Sequence, residues 1–120
     1  MDRHYDRPWG WFEILVKENN YCVKKIYVKP NQRFSLQYHN HRSEHWVVIQ
    51  GDGVALVNNY EETIGVDKQF YIPRESKHRL TGGKNGITFI ETQIGECNED
   101  EIIRLEDDYG RECEKYYFLN

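Results

Sequence analysis

A chain of 120 residues has the length of one ordinary domain, and with 38% hydrophobic and 14% aromatic residues it can form a core. The net charge is −4 and the longest run of Lys or Arg is the pair Lys24 and Lys25, so we expect no binding to nucleic acid. No stretch of 18 apolar residues occurs and no signal peptide is recognisable, so we expect no membrane association and a cytoplasmic location. We therefore expect a single domain over residues 1–120.

Short segments in which polar and apolar residues alternate fill most of the chain, and turn residues separate them. They predict strands over residues 11–17, 21–29, 34–41, 44–50, 54–58, 61–66, 69–72, 77–81 and 86–94. One short C-terminal helix is predicted over residues 98–107, because Asn98 can cap it and acidic residues follow. Many short strands with little helix predict an all-β sandwich or barrel, and the pattern does not choose between them.

Histidines are concentrated in one part of the chain. His39, His41 and His45 lie within seven residues, and His78 follows a second turn that contains proline. Alternate side chains of a strand share a face, so Gln37, His39 and His41 are expected to point to the same side. Imidazole and carboxylate groups together suit a divalent metal, and we predict one bound ion, with zinc as first choice and manganese, iron, cobalt or nickel as others.

These two stretches resemble the paired motifs of the cupin superfamily. The first motif, G-x5-HxH-x4-E-x6-G, fits with every spacing kept at Asn31, Gln37, His39, Glu44 and Gly51. The second motif, G-x5-PxG-x2-H-x3-N, fits at Asp67, Pro73, Glu75, His78 and Gly82. Several motif glycines are replaced, but the resemblance implies an all-β cupin, which is a double-stranded β-helix (jelly-roll) barrel, here with a short C-terminal helical tail.

A narrower resemblance covers the chain from about Arg7 to Arg111. The segments RPWGWFEIL, SLQYHNHRSEHWVVIQG, YIPRESKHRL, IETQIGE and IIRLEDDYGR are similar to the cupin domain of type II mannose-6-phosphate isomerases. In many bacteria that domain is the C-terminal part of a bifunctional isomerase and mannose-1-phosphate guanylyltransferase, and no Gly-rich nucleotide loop is present here. The resemblance implies a metal-dependent isomerase that interconverts mannose 6-phosphate and fructose 6-phosphate by enediol proton transfer. It also implies a homodimer.

Two sets of metal ligands are compatible with the resemblance. The first set, which we prefer because it keeps all motif spacings, consists of Gln37, His39, Glu44 and His78. The second set consists of His39, His41, His45 and His78.

The proposed reaction also needs a base and a cation for the phosphate. His41, expected to point inward, and Glu91 are the candidate groups for proton transfer. Arg79 and Arg104 are the candidate phosphate ligands, with Arg33 and Arg111 as alternatives, because a guanidinium binds phosphate oxygens in pairs.

Three other functions are compatible with the same residues. One is an isomerase or epimerase that acts on another phosphorylated or nucleotide-linked sugar. Another is a cupin that binds a sugar without converting it. The third, more distant, is an iron-dependent oxygenase with two histidines and a carboxylate as ligands.

Overall fold

The computed structural model describes residues 3–98 and 102–111 as a single nine-stranded antiparallel sheet. The strands are β1 (His4–Arg7), β2 (Gly10–Lys17), β3 (Tyr21–Val28), β4 (Leu36–Tyr38), β5 (Arg42–Val57), β6 (Tyr60–Gly65), β7 (Gln69–Ile72), β8 (His78–Gly95) and β9 (Ile103–Glu106). The predicted all-β class is confirmed. Among these residues no helix is long and apolar enough to cross a membrane.

Two long strands organise the sheet. β5 and β8 pair with each other along most of their length, and β8 also pairs with β3 and β4. β5 further pairs with β6 and β7, while β1 and β2 extend the sheet beyond β3. Each long strand joins two segments that were predicted as separate strands, and β1 was not predicted at all. The sheet therefore curls with one face of β3, β5 and β8 turned inward.

The inward face carries the hydrophobic core. Alternate residues of β3 and of the first half of β5 are buried, in keeping with the period of two of a strand. The largest of them pack around Trp46, whose ring lies edge-on to Phe34 and against Phe89, with centroid distances of 6.0 and 5.0 Å. Val48 and Leu80 are also among the buried core residues. This apolar layer fills the interior next to the polar groups described below.

The residues that stand at three glycine positions of the motifs keep the backbone conformation that glycine would adopt there. Asn31, Asp67 and Glu75, which stand at three glycine positions of the cupin motifs, have positive φ angles of 61°, 80° and 69°. This left-handed region is costly for residues that have a Cβ, and least so for Asn and Asp. The turns at both motifs therefore survive the substitutions. At Gly51, where φ is 82°, a Cβ would collide with the carbonyl oxygen of Gly86, so glycine is required there.

The predicted C-terminal helix is wrong for the residues that the structure describes. Residues 103–106 form strand β9, which pairs with β4 through Gln37 and Arg104, and residues 99–101 lie outside the described range. Arg79 holds this strand in place, since its Nη2 donates to the Glu106 carbonyl oxygen at 3.1 Å. A local capping signal contributes only about 1 kcal/mol, so pairing with a free strand edge outweighs it.

Candidate metal centre and active site

Three of the predicted ligands meet inside the sheet. His39 directly follows β4, Glu44 lies in β5, and His78 is the first residue of β8. Their side chains are 2%, 1% and 1% exposed, and one ligand atom of each lies within 4.8 Å of the others. Glu44 is central to this group, with Oε2 3.3 Å from His39 Nε2 and Oε1 3.7 Å from His78 Nε2. Residues that are far apart in sequence thus present two nitrogens and a carboxylate to one point.

The tautomer of His78 suits a metal ligand. Its Nδ1 donates to the carbonyl oxygen of Ser76 at 2.9 Å, which leaves the lone pair on Nε2 directed at the cluster. Nε2 is buried and makes no hydrogen bond with any described residue. Burial lowers the pKa of His78 more than the charge of Glu44 raises it, so the imidazole is neutral at pH 7. His78 Nε2 is thus a buried, neutral nitrogen whose lone pair is available to bind a metal ion.

Glu44 supplies the negative charge of the centre. Burial opposes its ionisation, but the charges that His78 and His39 carry when protonated at acid pH, together with the Arg42 guanidinium, lower its pKa below the usual range. Arg42 Nε donates to Oε2 at 3.1 Å and the Trp46 indole donates to Oε1 at 3.0 Å. The two nitrogens and one carboxylate therefore fit a divalent ion such as zinc, manganese or iron.

The residues in which the two predicted ligand sets differ have different positions: Gln37 lies on the face of the cluster, whereas His41 and His45 do not. Gln37 lies opposite His78 in the register between β4 and β8, so its side chain is on the same face of the sheet, and Ser35 Oγ donates to its Oε1 at 2.7 Å. His41 and His45 are both exposed. β4 ends at Tyr38, so strand alternation does not extend to His41, and the inward orientation expected for it is not found. His45 follows the inward Glu44 and points outward.

Glu91, the second candidate for proton transfer, lies beside the cluster of His39, Glu44 and His78. The Trp46 indole nitrogen that donates to Glu44 also donates to Glu91 Oε1 at 3.0 Å, and Gln93 Nε2 donates to Glu91 Oε2 at 2.7 Å. Burial, together with the adjacent charge of Glu44, raises the pKa of Glu91 to about 8. The site therefore contains an ionised carboxylate and a largely neutral carboxyl group side by side, which is an arrangement typical of acid–base chemistry.

The predicted phosphate ligands have different surroundings. Arg79 is buried and directed away from the cluster, because it follows His78 in a strand, and it binds the Phe34 carbonyl oxygen and Glu106 at 3.0 Å each. This position does not fit a phosphate ligand. In the register between β4 and β9, Arg104 lies opposite Gln37. Gln37 in turn lies opposite His78 in the register between β4 and β8. Arg104 is therefore on the face of the sheet that carries the candidate metal ligands.

The two alternative arginines are in ion pairs with aspartates that follow β9. Arg33 binds Asp108 through Nε and Nη2, both at 2.8 Å, and Arg111 binds Asp107 at 2.7 Å. Both are thus already paired with carboxylates.

Arg42 is a residue of the site that the sequence interpretation missed. Its Nη2 lies 3.0 Å from Nε2 of His39, and its side chain is 4% exposed. The alternation of β5 contained the signal, because Arg42, Glu44 and Trp46 are two residues apart and therefore share a face.

Comparisons with known proteins place the chain in a family. The family described as mannose-6-phosphate isomerase C-terminal matches residues 1–107. Mannose-1-phosphate guanylyltransferase ManC of Salmonella typhimurium is 39% identical over 113 residues, which are 92% of this chain and 24% of that protein. The alginate biosynthesis protein AlgA of Pseudomonas aeruginosa is 42% identical over 110 residues, which are 90% of this chain and 23% of that protein. The chain thus spans about a quarter of the length of these relatives.

Solved structures identify the fold. An RmlC-like cupin from Shewanella frigidimarina superposes with a TM-score of 0.75 at 17% identity, over 82% of this chain and 88% of that one. Oxalate decarboxylase from Bacillus subtilis superposes with a TM-score of 0.78 at 15% identity, over 87% of this chain and 30% of that one. At such identities the likeness concerns the fold alone. The chain has the cupin fold and belongs to the mannose-6-phosphate isomerase C-terminal family.

Proposed function

We propose that this protein is a metal-dependent isomerase that interconverts mannose 6-phosphate and fructose 6-phosphate. The observation that carries the proposal is the buried cluster of His39, Glu44 and His78 with the neutral carboxyl group of Glu91 beside it. An aldose–ketose isomerase needs a site that stabilises charge on the sugar oxygens and a group that moves one proton. Membership of the isomerase family makes mannose 6-phosphate the first substrate to test.

His39, Glu44 and His78 would hold the divalent ion, with Gln37 as a fourth candidate on the same face. When bound, the ion supplies positive charge that stabilises the negative charge developing on the sugar oxygens. Arg42 keeps Glu44 ionised and oriented through its 3.1 Å hydrogen bond. Because all three ligands are buried, their interactions are little screened by water.

Glu91 would carry the proton. In its ionised form it would remove the proton from C2 of the open-chain aldose, which leaves an enediolate with its negative charge on O1. The proton on O2 would then pass to O1 as Glu91 returns its proton to C1, which gives the ketose and the ionised Glu91 again. A carboxylate whose pKa is raised to about 8 is a stronger base than an ordinary one, which favours this step at neutral pH. Arg104 would bind the phosphate from its position across β4.

The proposal is tested by metal replacement. The purified protein is stripped of metal and reloaded singly with zinc, manganese, cobalt, nickel or iron, and conversion of mannose 6-phosphate to fructose 6-phosphate is measured. His78→Ala removes a buried ligand, and His41→Ala removes an exposed imidazole of the same region as the matched control. We expect His78→Ala to lose tight metal binding and turnover, and His41→Ala to keep both. Folded, metal-loaded wild-type protein that converts no mannose 6-phosphate would refute the proposal.

A further inference from the structure

A buried lysine lies on the inward face of the sheet next to the candidate active site. Lys24 in β3 is 4% exposed, and the alternation of the strand places it with the buried residues Cys22 and Ile26, while Lys25 points to the other face. In the register between β3 and β8, Lys24 is directly opposite Glu91. Residues opposite each other in antiparallel strands share a face, so Lys24 and Glu91 line the same interior.

The Lys24 ammonium lies against an aromatic ring and beside a carboxyl group. Its Nζ lies 4.6 Å from the centroid of the Phe12 ring, which stabilises the ammonium through the face of the ring. The charge of Lys24 lowers the pKa of Glu91 against the larger effects of burial and Glu44, which indicates that the two groups are close. Lys24 is therefore a buried cation on the same interior face as the Glu91 carboxyl group.

Gln93, on the same inward face of β8, has a side-chain oxygen that accepts no hydrogen bond from any described residue. It is 0% exposed and lies opposite Glu44 in the register between β5 and β8. Its Nε2 donates to Glu91, but its Oε1 is buried and makes no hydrogen bond with any described residue. A buried amide oxygen without a donor costs about 1–3 kcal/mol, and a donor group of a ligand would relieve that cost.

We propose that Lys24 and Gln93 form a subsite that binds neighbouring hydroxyl groups of the open-chain sugar phosphate beside the His39–Glu44–His78 cluster. The inference rests on the proposed function, since it specifies how that site recognises its substrate. The Lys24 ammonium donates hydrogen bonds to hydroxyl or enediol oxygens, and Gln93 Oε1 accepts from a hydroxyl. The ammonium of Lys24 is directed at the sugar oxygens, where negative charge develops in the enediolate, and Arg104 is left to bind the phosphate.

The subsite also explains why Glu91 would reach C1 and C2. Glu91 lies between Lys24 on β3 and Trp46 on β5, and it is hydrogen-bonded to Gln93. A sugar whose hydroxyl groups are held by Lys24 and Gln93 therefore has its adjacent carbons next to the Glu91 carboxyl group. Arg104 lies across the cluster, on the strand beyond β4, and would receive the phosphate at the other end of an extended chain.

The test measures binding separately from turnover, with metal-loaded protein and isothermal titration calorimetry. The probes are mannose 6-phosphate, glucitol 6-phosphate (an open-chain polyol phosphate that has no carbonyl group) and inorganic phosphate. Lys24→Met and Gln93→Met remove the proposed contacts, and Lys25→Met and Thr92→Val are matched controls on the outer face of the same strands. We expect the Kd for both sugar phosphates to rise about tenfold or more in the first two variants and to change less than about twofold in the controls. The Kd for inorganic phosphate stays within about twofold in all four.

The outcomes separate this inference from the isomerase proposal. Wild-type protein that binds glucitol 6-phosphate in a Lys24-dependent manner but converts no mannose 6-phosphate would sustain the subsite and refute the isomerase. Unchanged sugar-phosphate Kd in folded Lys24→Met would overturn the subsite, whatever the turnover of the wild type. If Lys24→Met does not fold, the 13C side-chain resonance of Lys24, assigned with Lys24→Arg, is followed in wild-type protein. A shift with glucitol 6-phosphate but not with inorganic phosphate supports the subsite, and no shift with either overturns it.

Discussion

Ionisation of Glu91 should make the metal-free protein less stable as the pH rises towards 8. The pKa of Glu91 is raised from 4.5 to about 8 in the folded protein, so the folded state retains a proton that the unfolded state has lost. Its contribution to stability is therefore complete below pH 4.5 and is lost as the pH rises towards 8. The neighbouring His78 has a lowered pKa and acts in the opposite direction, but only below its unfolded value of 6.5.

Between pH 6.5 and 8 the effect of Glu91 thus dominates. One pH unit corresponds to about 1.4 kcal/mol for one proton, so the free energy of unfolding should fall by about 2 kcal/mol over this window. Glu44, whose pKa is lowered, is ionised in both states here and contributes no slope. The pKa of the exposed His4 is raised by its hydrogen bond to Asp6, so His4 also makes the free energy of unfolding fall as the pH rises. This contribution is the same in the wild type and in any variant of Glu91.

Glu91→Gln removes the ionisable group and keeps an oxygen for the Trp46 indole. Urea denaturation of metal-free protein, followed by tryptophan fluorescence at several pH values, gives the free energies. Between pH 6.5 and 8 we expect the free energy of unfolding to fall by about 2 kcal/mol less in Glu91→Gln than in the wild type. In the control Glu96→Gln, which changes an exposed residue, it should fall as much as in the wild type. An equal slope in wild type and Glu91→Gln would refute the assignment of a raised pKa to Glu91, and with it the acid–base role built on it.

Three further substitutions test other parts of the structure. Arg104→Met should raise the KM for mannose 6-phosphate about tenfold with kcat nearly unchanged in steady-state assays, and an unchanged KM would exclude Arg104 as phosphate ligand. Glu75→Gly should raise the free energy of unfolding by about 1 kcal/mol, because its φ of 69° suits glycine, and a loss of stability would contradict this account of the turn. Arg79→Met should lower that free energy by about 2–3 kcal/mol, because Arg79 joins β9 to the sheet through hydrogen bonds to Glu106, and an unchanged midpoint in urea would show that these bonds contribute nothing.

Much of the candidate site was predictable because its information is local. The spacing from Asn31 to Gly51 and from Asp67 to Gly82 is kept, and the cluster of His39, Glu44 and His78 follows from it. Turn geometry depends on a few neighbouring dihedral angles, so even non-glycine residues at motif positions take the left-handed conformation. Strand alternation likewise predicts which face a side chain occupies wherever the strand is continuous.

The sequence by itself determined the all-β class, the positions of most strands and the residues that could serve as metal ligands. Only the tertiary structure decided that residues 103–106 form a strand rather than a helix, and that Glu106 of this strand is the partner of Arg79. It also decided that β4 ends before His41, which leaves that imidazole exposed. Alternation and turn signals act over a few residues, whereas the end of a strand and its pairing partner depend on hydrogen bonds to segments that are distant in the chain.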